Sequence, residues 1–114
     1  MKIASFSDGL EFNESRISIK VIMETESSKE IRIVFKEGQV MKEHKAPYPI
    51  TVHVLDGAIG FGVGGEVHLL SQGSIISLQA NVPHDLVAKE DSVVRLTLSK
   101  SDAVDRVSNV ANQD

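Results

Sequence analysis

The sequence predicts an all-β fold, either a sandwich or a barrel of short strands. Apolar and polar residues alternate through most of 16–23 (RISIKVIM), which is the pattern of a strand with one buried face. Turn residues recur at intervals of about 8–12 positions, the spacing typical of β-sandwiches and barrels. Val and Ile, which favour strands, supply much of the aliphatic content, and nothing suggests strands alternating with helices.

The N-terminal part is expected to begin with an extended or loop-like stretch over residues 1–14, with a turn at Ser7-Asp8-Gly9. A strand follows at 16–23. A second strand at 30–36 is its expected hairpin partner, because the polar segment 25–29 between them has the composition of a turn.

Two prolines flank Tyr48 in the next segment, APYPI. They enforce an extended backbone and remove two amide donors, so a central paired strand cannot pass through this point. The segment is therefore expected at a sheet edge or at a bend between strands.

The middle of the chain is predicted to be a series of short strands separated by glycine turns. Asp56-Gly57 is the strongest hairpin signal in the sequence and is expected to pair the strands on either side of it. Gly64-Gly65 is expected to make a second hairpin turn. The strands predicted from here to the end of the β region are 51–55, 58–63, 66–70, 74–78, 84–88 and 92–98.

The last residues, 99–114, have a different pattern. Apolar residues recur there at helical spacing, and Ser99 with Asp102 matches an N-cap pair. This segment is expected to form either a short amphipathic helix or a disordered tail.

Bulk composition narrows the classes of function. A chain of 114 residues has the size of one domain. The net charge of −4 and the scarcity of aromatic residues argue against nucleic-acid binding. The absence of cysteine excludes disulfides and thiolate metal sites. Because no apolar run reaches the length of a membrane span or a signal peptide, we expect a soluble, cytoplasmic protein without membrane contacts.

Two histidine-containing segments carry the clearest motifs. In GQVMKEHKAPYPITVHVLDG, Gly38 is followed six residues later by His44, and Gly57 closes the segment. In GSIISLQANVPHDLVA, Gly73 is followed eleven residues later by His84. These spacings resemble the two motifs of the cupin superfamily, whose fold is a double-stranded β-helix or jelly-roll barrel. The resemblance implies a small RmlC-like cupin spanning 1–114, with the barrel core at about 30–98 and N-terminal strands within 1–29.

Several positions depart from the cupin motifs. Ala46 replaces the second histidine of the first motif and Ile50 replaces its glutamate, and both changes remove metal ligands. In the second motif, Gln79, Asn81 and Ala88 occupy the proline, glycine and asparagine positions. Asn for glycine is a mild change, since Asn tolerates the left-handed backbone conformation better than most residues.

The resemblance implies a barrel cavity faced by His44 and His84, the two candidate metal ligands that remain. The implied cofactor is a divalent transition metal (Zn, Fe, Mn or Ni), or none. Alternation along the strand after Ile50 predicts that His53 points outward, whereas the facing of His68 is open. The residues expected to line the cavity are Met41, Tyr48, Ile50, Val52, Val54, Phe61 and Leu86.

Two functions remain open. The first is a small cupin that binds a small molecule in the barrel cavity, with a weak or absent metal site. The second is a metal-dependent enzyme, dioxygenase- or isomerase-like, that uses His44 and His84. Ala46 and Ile50 favour the first, and whether the protein is an enzyme is left open. A homodimer is also expected, because the strand at 16–23 is an apolar-rich edge that needs covering.

Overall fold

A computed structural model describes residues 1–100, and residues 101–114 lie outside the described part. The helix or tail predicted for 99–114 therefore falls almost wholly outside it. Nine strands and no helix form within the described residues. This part of the chain therefore has no helix that could cross a membrane. The strands are β1 (Ser18–Glu24), β2 (Ser28–Phe35), β3 (Val40–His44), β4 (Ile50–Asp56), β5 (Ala58–Val63), β6 (Glu66–Ser71), β7 (Ile75–Leu78), β8 (His84–Ala88) and β9 (Ser92–Ser99).

The strands form two antiparallel sheets that face each other. One has five strands in the order β1-β2-β9-β4-β7, and the other has four in the order β3-β8-β5-β6. From β2 onward the chain crosses between the sheets at most connections, which is the topology of a jelly roll. The predicted all-β jelly-roll fold is confirmed.

The core lies between the sheets because alternate residues of each strand point inward. In β4, Ile50, Val52 and Val54 are buried, as alternation predicts. The central strand β9 completes the layer, since its Val94 pairs with Ile33 of β2 on one side and with Val54 on the other. Each such aliphatic side chain contributes about 1.5–3 kcal/mol by its removal from water. The four-stranded sheet contributes Ile59, Phe61, Leu70, Leu86 and Ala88 to the same core.

The outer face of the five-stranded sheet is covered by the N-terminal segment. Arg32 points to this face yet is only 5% exposed. Its Nη1 donates hydrogen bonds to the carbonyls of Phe6 (2.9 Å) and Asp8 (2.8 Å). The Arg95 guanidinium lies 5.4 Å from the centre of the Phe6 ring, within cation–π range. The segment before β1 is therefore held to the sheet by two arginines.

The hairpin predicted at Asp56-Gly57 is wrong. β4 pairs with β7 and β9, whereas β5 pairs with β6 and β8, so the chain changes sheets at this point. The glycine serves a close contact instead. Gly57 has φ = 91° and lies against Ser92, whose buried hydroxyl accepts a hydrogen bond of 3.0 Å from the amide of Ala58. The hairpins predicted between β1 and β2 and at Gly64-Gly65 are confirmed.

One strand was not assigned from the sequence. β3 (Val40–His44) lies at the edge of the four-stranded sheet and ends before Pro47. An edge strand followed by a bend fits the expectation for the proline-containing segment, because an edge tolerates the missing amide donors of the prolines.

Gly57→Ala is expected to be far more destabilising than Gly73→Ala, although both glycines have φ close to +90°. A Cβ at residue 57 would overlap the hydroxyl of Ser92 and the carbonyl of Asp91, whereas a Cβ at residue 73 meets nothing within 4 Å. Backbone strain costs about 1–3 kcal/mol at either site, and overlap adds about 1–3 kcal/mol at residue 57 alone. Urea unfolding of the two variants measures the difference, and equal losses would contradict the packing argument.

An ion pair joins β2 to β9 beside the N-terminal segment. Arg95 donates from Nε to Glu30 Oε1 at 2.8 Å and from Nη2 to Glu30 Oε2 at 3.1 Å, and the Thr97 hydroxyl donates to Oε1 at 2.7 Å. Despite an opposing effect of burial, the hydrogen bonds from Arg95 lower the pKa of the Glu30 carboxyl below its ordinary value of 4.5.

Glu30→Gln is expected to reduce the free energy of unfolding by about 1 kcal/mol at neutral pH. Because the pKa of Glu30 is lowered by folding, this contribution is present above pH 4.5 and is lost as the pH falls through the folded-state value. Chemical denaturation at neutral pH and at about pH 3 measures the change. Glu26→Gln, in the exposed β1–β2 turn, is the matched control and should have no effect at either pH.

Candidate functional site

The two motif histidines are brought together by adjacent strands. β3 and β8 are neighbours in the four-stranded sheet, and His44 pairs directly with His84 in their register. The centres of the two imidazole rings lie 4.3 Å apart, with the ring planes inclined by 59°. Forty residues of sequence separate them, so the sheet register alone creates the pair.

A β-bulge in β3 decides which way His44 faces. Met41 pairs with Leu86 and packs against the core, and His44 pairs with His84, with a register shift between them. Residues three apart in a regular strand point to opposite faces. The bulge inserts an extra residue and so returns His44 to the same face as Met41. Sequence alternation alone does not locate such a bulge.

The two imidazoles have different environments. His84 is 3% exposed and stacks on Phe61, with ring centres 5.5 Å apart and planes inclined by 10°. His44 lies on the edge strand and is exposed. The pair therefore runs from the apolar core to the protein surface.

The hydrogen bonds of both histidines set the same tautomer. Nδ1 of His44 lies 2.8 Å from the carbonyl oxygen of Lys42, and Nδ1 of His84 lies 2.9 Å from that of Val82. A carbonyl only accepts, so in each ring Nδ1 carries the proton and donates it. In the neutral ring Nε2 then has a free lone pair, the arrangement found in metal-binding and ligand-binding histidines.

The residues expected to line a cavity occupy three kinds of place. Five of them lie in the buried core: Ile50, Val52, Val54, Phe61 and Leu86. Met41 is partly buried against that core. Tyr48 lines a cavity of about 340 Å³ together with Ala46, Pro47, Leu98 and the lysines at 29 and 100. Phe61 also lines a second cavity, of about 240 Å³.

The other two histidines are separate from the pair. His53 lies in β4 between the buried Val52 and Val54, so it faces outward as alternation predicts. His68 pairs with Phe61 and lines the 240 Å³ cavity with it, which gives the facing that the sequence left open. Its Nε2 lies 3.9 Å from Glu66 Oε2 in an exposed pair.

The donor set at the histidine pair is incomplete for a catalytic metal ion. Within residues 1–100, no three His, Cys, Asp or Glu side chains come together as a possible ligand group. Catalytic zinc and non-haem iron sites use at least three protein ligands. His44 and His84 alone fit a weak two-ligand contact, in accord with the apolar residues at positions 46 and 50.

Asn81 adopts the conformation expected of the glycine that it replaces in the motif. Its φ is 65°, the one positive value among the non-glycine residues described. Its amide donates a hydrogen bond of 2.7 Å to the carbonyl of Ala46, which ties the loop before β8 to the loop after β3. This hydrogen bond fixes the loop that follows His44 to the loop that precedes His84.

The sequence profile of the Cupin domain matches residues 31–99. No curated protein matches the sequence.

Solved structures with similar folds include a protein described as a cupin. An RmlC-like cupin protein from Desulfovibrio desulfuricans shares 24% identity over 87% of this chain and 96% of its own, with a TM-score of 0.79. A conserved protein with a double-stranded β-helix domain from Klebsiella pneumoniae shares 20% identity over 89% and 92%, with a TM-score of 0.77. A conserved protein of unknown function from Streptococcus pyogenes shares 19% identity over 87% of each chain, with a TM-score of 0.74.

We expect both paired histidines to carry their proton on Nδ1 in the neutral form. Two-dimensional ¹⁵N–¹H spectra of the imidazole rings, recorded at alkaline pH, should show a protonated Nδ1 and a bare Nε2 for His44 and His84. His53 and His68, which lack such a carbonyl contact among the described residues, serve as internal references. An Nε2-protonated form of His84 would contradict the hydrogen-bond assignment.

Proposed function

The chain belongs to the cupin family, and on that premise we propose that it binds a small polar molecule at the His44–His84 pair. A divalent metal ion binds there weakly at most. The observation that carries the proposal is the pair of imidazoles with their Nδ1 atoms committed to backbone carbonyls. Two adjacent Nε2 atoms are then left to accept hydrogen bonds from a ligand.

The chemistry of the pair defines the ligand that it suits. Two hydrogen-bond acceptors require a molecule with two donors, such as hydroxyl or amino groups. The Nε2 of the buried His84 makes the stronger contact, because hydrogen bonds gain strength where water is excluded. The Phe61 ring stacks on His84 and also lines the 240 Å³ cavity. An apolar surface with a few fixed polar atoms is the usual character of a small-molecule site.

The replaced residues support ligand binding without tight metal binding. Ala46 and Ile50 supply no donor atoms from their side chains, and Ile50 is buried in the core. Two imidazoles leave a transition metal with most of its coordination to water, so its affinity is low. Metal analysis of untagged protein should accordingly find far less than one ion per chain.

His44→Ala and His84→Ala should each remove the binding of ligands that use the pair. The probes are small polyols, hydroxy acids and amines for the proposed ligand class, and Ni²⁺ for the imidazoles themselves. We expect thermal shifts produced by active probes to disappear in both variants, and the weak Ni²⁺ affinity to fall by about tenfold or more. His53→Ala is the matched control, because His53 lies on the outer side of β4 and should leave every shift unchanged.

Two results would contradict the proposal. Stoichiometric iron, zinc, manganese or nickel in untagged protein would instead favour a metal-dependent cupin enzyme. Probe-induced shifts that persist unchanged in both alanine variants would place the ligand site away from the pair. Since His84 is buried, the folded state of His84→Ala is checked by its denaturation midpoint before the comparison.

A further inference from the structure

The outward side of the four-stranded sheet carries an exposed apolar patch. Val40 and Val87 pair with each other across β3 and β8, on the side opposite the buried Leu86. Val67 and Leu69 of β6 point to the same side and are 70% and 68% exposed. We call Val40, Val67, Leu69 and Val87 the outer patch. Aliphatic residues grouped on one sheet face, rather than scattered singly, indicate an interaction surface.

Two glycines keep the centre of the outer patch flat. Gly60 pairs with Val87 and Gly62 with Asp85, and both are buried although they carry no side chain. A Cβ at Gly60 would lie 2.9 Å from Lys89 Cε, and a Cβ at Gly62 would overlap the Asp85 carboxylate. The charged side chains therefore lie down over the glycines instead of projecting from the sheet.

The charges next to the patch are self-complementary. Asp85 and Lys89 stand two residues before and two residues after Val87, and neither takes part in the salt bridges formed within residues 1–100. A two-fold axis that lies in the interface, parallel to the sheet and crossing β8 at right angles above Val87, brings each Asp85 opposite the Lys89 of a second copy. Isologous interfaces require this property, because the same surface must complement itself.

From this arrangement we propose that a second copy of the chain docks on the outer patch, with the two β8 strands antiparallel across the two-fold axis. The aliphatic residues of both copies then bury one another. Each Asp85 pairs with the partner's Lys89 among these aliphatic residues. The proposal is independent of any ligand at the histidine pair, which lies on the opposite side of the same sheet.

The free edge of β1 is less suited to the homodimer that the sequence predicts. β1 is indeed the outer strand of its sheet. However, a register shift interrupts it between Val21 and Met23, and Glu24 is already paired with Lys100 at 2.8 Å. Bulges and charged side chains are features that protect edge strands from pairing with other chains.

Sedimentation velocity across a concentration series tests the proposal on the full chain. We expect a reversible dimer, and Leu69→Asp should weaken its association by at least about tenfold because it buries a charge in the patch. Ile75→Asp is the matched control: Ile75 is 63% exposed but lies on the five-stranded sheet, so this variant should still dimerise. Ile19→Asp examines the β1 strand and should also leave the dimer intact.

A charge exchange gives the sharper test. Asp85→Lys and Lys89→Asp should each weaken the dimer by about tenfold at low salt, because like charges then face each other. The double variant should restore wild-type association, since it reverses both charges on both copies. A protein that is monomeric at every concentration would overturn the proposal. So would loss of the dimer in Ile19→Asp but not in Leu69→Asp, or failure of the double variant to recover.

Discussion

The structure depends on the position of β9 between β2 and β4. Its eight residues pair in register with all eight of β2, and its other edge pairs with β4. This places Val94 in one buried row with Ile33 and Val54, although Ile33 and Val94 lie 61 positions apart in the sequence. The apolar row supplies the layer against which the four-stranded sheet packs. Because these contacts join distant parts of the chain, the barrel cannot close until β9 is in place.

The histidine pair lies where this core meets the surface, and its chemistry follows from that location. A buried imidazole needs a hydrogen-bond partner, because an unpaired polar group in the interior costs about 1–3 kcal/mol. The carbonyl of Val82 is that partner for His84, and the carbonyl of Lys42 plays the same part for the exposed His44. Satisfying Nδ1 in this way fixes the tautomer and leaves Nε2 as the atom that meets a ligand. A local requirement of folding thereby prepares both rings for binding.

The glycines show how one residue type serves different physical needs in the same barrel. Gly57 has a left-handed conformation and lies against Ser92, where a side chain has no room. Gly60 and Gly62 belong to a regular strand, and their missing side chains leave space in which Lys89 and Asp85 lie flat. The first need concerns the connection between the two sheets, and the second concerns the shape of an exposed face. Only the surroundings of each residue distinguish them.

The sequence by itself determined the all-β class, most strand positions, and the inward facing of Ile50, Val52 and Val54, because these depend on alternation along a single strand. It also identified Asn81 as a tolerated replacement for glycine, since that depends on the backbone preference of one residue. Only the tertiary structure decided that Asp56-Gly57 joins two sheets instead of forming a hairpin. It also decided that a bulge turns His44 inward beside His84, and that Val67 and Leu69 share a face with Val40. The physical reason is that sheet membership, register and bulges are set by pairing with distant strands, whose identity no local pattern encodes.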